Sequence, residues 1–239
     1  MTPAVLPASL HYWALQELKN TALDHHHSYF VQITLTQEAK QDLMWWRTYL
    51  RQWKSRSILP KRALLTLESD ASDLGWGAVC LNQKVSTGGV WNTHETTLHI
   101  NCKELFAAWL GLQCYASTLQ DVHIHLRIDN TAAVAYVNKM GGLHSKNLCQ
   151  LALQVWDWCL SRNLTISAEH LPGSLNQLAD KESRTDSDSS EWALDTQIFH
   201  RLMEMRGPCT VDLFASRLSA KLPTYFSWRT DPERKQWML

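Results

Sequence analysis

The sequence predicts an α/β domain with five strands, the first three antiparallel, flanked by helices and extended at both ends by helical segments. Two observations carry this. Three short β-rich runs, ALLTLES, GWGAVCL and KVSTGGVW, succeed one another, with a turn after the first and Gly88-Gly89 at a bend in the third. After them, helical and strand patterns alternate to about residue 185. At 239 residues and 45% hydrophobic content, the chain can bury one sizeable core and carry flanking pieces.

Residues 1–35 are mixed in pattern, with Pro3, Pro7 and the run His25-His26-His27. Three adjacent His offer metal ligands, but on an unpaired loop they read more simply as solvated. Residues 36–56 read as a helix that Thr36 can cap, with Leu43, Trp46, Leu50 and Trp53 as a core-packing stripe. Pro60 marks a boundary. Beyond the three opening strands, residues 98–118 form a long helix with Leu105, Ala108, Trp109 and Leu112 on one face. VHIHLRI alternates as a strand, and DNTAAVAYVNKMGG comes next as a helix stopped by its glycine pair. Residues 144–162 form another helix, LTISAEHL the last strand of the domain and LNQLADKES a short helix. The tail, 186–239, opens in a Ser/Asp-rich linker (SRTDSDSSEW), then a helix from about Asp195 to Met205. The segment VDLFASRLSAKLPTYFSWRTDP beyond it suggests no chemistry by residue type.

Lysine plus arginine equals aspartate plus glutamate, so the net charge is zero. This is unlike a free-standing nucleic-acid binder; binding would use a local patch or a neighbouring domain. The six cysteines form no CxxC pair and read as reduced thiols of an intracellular protein, cytoplasmic or nuclear. No apolar run reaches the length of a membrane span, and the N-terminus has no signal-peptide pattern.

Four acidic residues stand in distinctive frames: Asp70 in LESDASDLGWGAV, Glu104 in HINCKELFAAW, Asp129 in LRIDNTAAVAYVN and Asp180 in HLPGSLNQLADKESR. Each has a plain rival reading. Asp70 suits a turn, Glu104 beside Lys103 a surface pair, Asp129-Asn130 an N-cap and Asp180 a solvated helix position. Together, on these elements and in this order, they offer hard oxygen donors for divalent metal. Such a set repels itself without metal, so at least one of its pKa values should be raised.

These frames resemble the ribonuclease H domain of a retroelement reverse transcriptase, most nearly that of DIRS-type retrotransposons, which carry a tyrosine recombinase. The resemblance implies a ribonuclease H-like fold over residues 61–185, with a mixed five-stranded sheet. It implies that Asp70, Glu104, Asp129 and Asp180 hold two Mg²⁺ ions, with Mn²⁺ as an alternative, and cut the RNA strand of an RNA·DNA hybrid. Two metals roughly 3.5–4 Å apart can activate the attacking water and stabilise the leaving oxygen. Residues 1–60 would be the helical end of a polymerase or connection region, since TLTQEAKQDLMWWRTYL resembles the segment ahead of the nuclease. The tail, 186–239, resembles the segment that comes after the ribonuclease domain in DIRS-type polyproteins. A reverse-transcriptase polymerase domain is then an expected partner, although no Tyr followed by paired Asp occurs in this chain.

Weaker candidates for nucleic-acid contacts are Asn130, Lys103, Lys139 and Arg184, together with Asn138 and Lys146; each is otherwise a cap or a surface group. Gly75, Trp76 and Gly77 fit the turn and second strand of the resemblance. His170, ten positions before Asp180, reads as the end of the last strand and receives no catalytic role. The rival functions are an idle binding or scaffold remnant of the same fold, and a DNA-cutting relative. Glu104 argues against the latter, which lacks an acid on its first helix.

Overall fold

The computed structural model describes residues 5–51, 62–185, 193–227 and 229–232. Strands β1 (Leu65–Ala71), β2 (Gly75–Cys80), β3 (Val85–Val90), β4 (His123–Ile128) and β5 (Thr165–His170) form one sheet in the order β3-β2-β1-β4-β5. β1, β2 and β3 run antiparallel, while β1, β4 and β5 are parallel. This is the mixed five-stranded sheet, three antiparallel strands first, that the sequence led us to expect. Period-2 alternation sets its faces. In β4, Ile124, Leu126 and Ile128 are fully buried, while His123, His125 and Arg127 point the other way and stay half-exposed.

Helices α3 (Ile100–Ala116), α4 (Thr131–Lys139) and α5 (Lys146–Leu160) pack together, and α3 lies on β1 and β2. Apolar positions run round most of α3, as they must in a helix held between a sheet and other helices. Asn130 caps α4, and Ser145 caps α5, each accepting a backbone N–H from three residues on. At the end of α4 the left-handed residue is Met140, one position before the predicted glycine stop. The buried Trp156 of α5 donates from Nε1 to the Val137 carbonyl oxygen of α4.

The opposite face of β1–β3 is covered by α6 (Gln177–Arg184). Ala78 faces α3, so its neighbour Gly77 faces α6. A Cβ on Gly77 would collide with the carbonyl oxygen of Ala179 and lie 2.8 Å from the amide nitrogen of Ser183. Glycine here lets a helix lie directly on strand backbone.

The extensions carry helices, as expected, but differ in detail. Residues without a clear pattern form a 3₁₀ turn (Leu6–His11) and α1 (Trp13–His26). α2 (Gln37–Tyr49) starts at the predicted cap, with Thr36 accepting from the Ala39 N–H, but it ends seven residues early; Trp53 lies outside the described residues. Its expected core stripe is not buried: Leu43 and Leu50 are exposed, and only Ala39 and Asp42 are covered. The reason is that α2 packs on α1 and the 3₁₀ turn, not on the sheet. Trp46 Nε1 donates to the His11 carbonyl at 2.7 Å, and Trp45 stacks on the His11 ring. Trp13 ties this unit to the domain through Nε1 and the Met140 carbonyl oxygen at 2.7 Å. His25, His26 and His27 sit exposed at the end of α1. Beyond the predicted linker, most of which is outside the described residues, the expected helix is α7 (Thr196–Arg206), capped by Asp195. Next comes a two-strand pair, β6 (Asp212–Leu213) with β7 (Tyr225–Phe226).

The contact at Gly77 generates a stability prediction. Gly77→Ala overpacks the α6 interface and should cost about 2–3 kcal/mol. It should appear as a lower denaturant midpoint with an unchanged slope; an unchanged midpoint would show that α6 can shift freely.

Candidate active site

β1 and β4 are hydrogen-bonded neighbours, with Ser69 opposite Ile128, so Asp70 and Asp129 emerge side by side at one sheet end. Glu104 comes to the same place from α3, where Ala71 at the end of β1 offers it a backbone hydrogen bond. Asp180 comes from α6, on the other face. The charges of Asp129 and Asp180 bear on Asp70, and those of Asp70 and Asp129 on Glu104, so the four predicted carboxylates lie near one end of the sheet.

Two polar residues missed in the sequence fix α6 against β1. Asn176, fully buried at the start of the helix, spends its side chain on the Ser69 carbonyl oxygen (Nδ2 to O, 2.9 Å) and not on a helix cap. Ser183, also fully buried, donates from Oγ to Asp70 Oδ2 at 2.7 Å. Both partners are more than 100 positions away, and only the hydrophobic pattern of LNQLADKES was local enough to read. Gly173, in the loop after β5, leaves room for the Asp129 carboxylate, since a Cβ there would collide with Oδ2.

Charge is concentrated and poorly solvated. Burial pushes the Glu104 carboxyl up to about 9, and the charges of Asp70 and Asp129 push the same way. Burial also raises Asp70; Asp180 and Asp129 add to this, while the Ser183 hydrogen bond and Arg184 oppose it. The expected raised pKa is thus present, at Glu104 most of all. Arg184 Nε holds Asp180 Oδ1 at 2.6 Å, and His170 Nε2 lies 3.2 Å from Asp129 Oδ1. Glu104 Oε2 is buried with no hydrogen-bond partner.

Among the described residues, no three His, Cys, Asp or Glu side chains already stand as a metal cage. Asp70, Asp129 and Asp180 are each engaged by a protein partner. The donor set still fits a hard divalent cation: it is all carboxylate oxygen, partly desolvated, with one orphaned oxygen for which a cation would be a natural partner.

The weaker candidates separate. Lys103 is not the exposed cation the sequence suggested: its side chain is only 5% exposed, with Nζ 3.8 Å from Asp73. It is covered because α3 is buried on most of its sides. Asn130 uses its amide fully, accepting from the Ala133 N–H and donating to Asn101 Oδ1. Asn138 does likewise with both backbone groups of Ala168, closing part of the edge of β5. Lys139 is exposed at the far end of α4, away from the carboxylates, and Lys146 is exposed at the start of α5. Arg184 alone among these candidates touches the site. His170 ends β5 as the sequence indicated, and that position, opposite Ile128, is what brings its ring to Asp129.

No family model matches the chain. Over 138 residues it is 30% identical to the enzymatic polyprotein of Cauliflower mosaic virus (strain D/H), a match covering 53% of this chain and 20% of that protein. The chain thus spans about a fifth of the length of the curated relatives it matches. Ribonuclease H1 from the archaeon Halobacterium salinarum aligns over 49% of this chain and 92% of its own, at 18% identity and a TM-score of 0.42. The protease-reverse transcriptase of prototype foamy virus aligns over 81% of this chain and 28% of its own, at 14% identity and a TM-score of 0.34. The chain is distantly similar to a viral enzymatic polyprotein.

The electrostatics yield a pH test. The folded-state pKa of Glu104 lies above its unfolded value of 4.5, so this group favours folding most at low pH. That advantage fades as pH rises from 4.5 toward about 9. In chelator, wild type should lose at least about 1.4 kcal/mol relative to Glu104→Gln across this window, one pKa unit's worth. Thermal or denaturant melts of both proteins would read it; parallel pH profiles would show that Glu104 titrates normally.

Proposed function

We propose that this chain carries a metal-dependent ribonuclease H that hydrolyses the RNA strand of RNA·DNA hybrids, leaving 3′-hydroxyl and 5′-phosphate ends. The observation that supports it most is the buried, unpartnered Glu104 Oε2 beside Asp70 and Asp129. A partly desolvated set of acids costs stability and calls for a compensating role. The family frames around all four acids, and the likeness to a viral polyprotein, support the same reading. We further propose a retroelement origin of the DIRS type, with residues 1–60 as the end of a polymerase region and a reverse-transcriptase polymerase domain as partner. The setting would be intracellular, cytoplasmic or nuclear.

Asp70, Glu104, Asp129 and Asp180 would hold two Mg²⁺ ions, or Mn²⁺. Bound there, the metals would supply a hydroxide-like nucleophile and neutralise charge on the leaving oxygen. The protein's own groups prepare that chemistry. The Ser183 hydroxyl orients Asp70 through Oδ2. Arg184 fixes the Asp180 carboxylate by its Oδ1. His170 Nε2, 3.2 Å from Asp129 Oδ1, can orient that carboxylate. Selection of a hybrid would come from 2′-hydroxyl contacts on the RNA strand.

The second reading is a folded but idle remnant that binds or scaffolds. Zero net charge favours it, as does the loss of Lys103, Asn130 and Asn138 as free surface contacts, which leaves few groups to grip phosphate.

A gel assay on a labelled RNA·DNA hybrid separates the two. The purified chain should cut the RNA strand with Mg²⁺ or Mn²⁺, not with chelator, and spare double-stranded DNA and RNA. Asp70→Asn and Asp129→Asn should abolish cutting, and Asp129→Asn should still bind hybrid. A folded wild type indistinguishable from these variants would establish the idle reading.

A further inference from the structure

The tail packs back on the domain, and it does so with a built contact. Arg217 places its guanidinium fork on Glu95, Nη1 to Oε1 at 2.7 Å and Nη2 to Oε2 at 2.8 Å. Nη2 also lies 3.2 Å from the Val90 carbonyl oxygen. Both side chains are nearly buried, 13% and 8% exposed. Glu95 Oε2 also accepts the Asn92 N–H. Burial alone would push the Glu95 carboxyl up, but Arg217 and the Asn92 backbone outweigh it and hold it below the ordinary range. The tail is itself organised to present the arginine. Asp231 accepts from the Arg217 N–H, Asp212 from the Lys221 N–H, and the Tyr225 hydroxyl reaches the Pro232 carbonyl. Ala215 and Tyr225 are buried, and Thr87 of β3 donates from its hydroxyl to the Thr230 carbonyl.

The stretch that Arg217 grips is connected to the carboxylates. Val90 ends β3, and Glu95 lies midway along the link to α3. Inside it, Trp91 donates from Nε1 to the Ser72 carbonyl at 2.9 Å, and its ring stacks on Phe106 of α3. Ser72 sits in the turn after Asp70. Its hydroxyl donates to the Ser183 carbonyl oxygen at 2.5 Å and accepts from the Leu74 and Gly75 amides. Ser183 in turn donates to Asp70 Oδ2. A hydrogen-bonded path thus runs from the tail through Trp91 and Ser72 to Asp70 and to the helix that carries Asp180.

We propose that the tail, Asp212–Phe226 with Thr230–Pro232, is an integral brace of the domain, and that Arg217, seated on Glu95 and the Val90 carbonyl, is a positioning residue for Asp70 and α6. The positioning of a catalytic site rests on the nuclease reading above; the brace itself does not. A buried, two-pronged ion pair suits this task because removing one partner strands a desolvated charge, so the tail is held in one arrangement.

The test compares the full-length wild type with Arg217→Ala and Arg217→Lys by amide hydrogen exchange and by hybrid cleavage kinetics. Arg217→Ala should speed exchange about tenfold or more at the Ser72–Gly75 turn and across α6, as expected when a local unit loses a buried contact. β4 and β5 should be unaffected, and kcat should fall with KM nearly unchanged. Arg217→Lys keeps the charge without the fork and should lie between; it carries the comparison if the alanine variant does not fold. Faster exchange confined to residues 212–232, with the Ser72 turn and α6 as in wild type, would overturn the positioning role. The exchange measurement needs no activity. A wild type that never cuts hybrid would therefore remove the nuclease reading and still leave the brace confirmed or refuted.

Discussion

The site depends on how closely α6 can approach the sheet. Asp180 comes close enough to bear on Asp70 while its helix lies directly on the backbone of β2 and β3, where Gly77 presents no side chain toward Ala179. Glycine is a poor strand former, so the strand gives up local preference for this contact. Asn176 and Ser183 then fix the helix in rotation and translation by bonding to Ser69 and Asp70. The same two bonds that secure the helix also place and orient a carboxylate, so packing and chemistry cannot be separated here.

This arrangement concentrates negative charge where solvent is scarce. Asp70 and Glu104 are both buried, and the charge of Asp70 raises the cost of ionising Glu104. The surroundings relieve three of the four acids, through a serine, an arginine and a histidine, and leave Glu104 Oε2 with nothing. Among the buried side-chain atoms of the described residues that lack a partner, Glu104 Oε2 is the carboxylate oxygen, the kind most costly to leave unpaired. Its retention in a cluster of acids is what gives the proposed metal chemistry its physical basis.

The extensions behave as parts of the domain. At one end Trp13 reaches the Met140 carbonyl, just past the helix that comes after Asp129. At the other, Arg217 reaches the stretch leading into the helix that carries Glu104. Each contact is a single polar group spanning a long stretch of sequence.

Much of this was legible in the sequence by itself. The strand runs, the helical periods and the glycine stop are local signals, and they located β1–β5 and α3–α6 within a few residues. The acid frames were legible as a set because they resemble those of a known family, while each alone had a plain rival reading. Tertiary structure decided the rest. Burial of Lys103, exposure of Leu43 and Leu50, and the contact of His170 with Asp129 depend on which element covers which face, and periodicity does not encode that. α1 has no buried residue to produce a pattern; it is held by partners such as the Met140 carbonyl, 127 positions from Trp13. The tail could not be read because its meaning lies in one arginine meeting one glutamate 122 positions earlier. Local sequence specifies dihedral preference and amphipathic period, whereas such pairings exist only once the sheet has brought distant residues together.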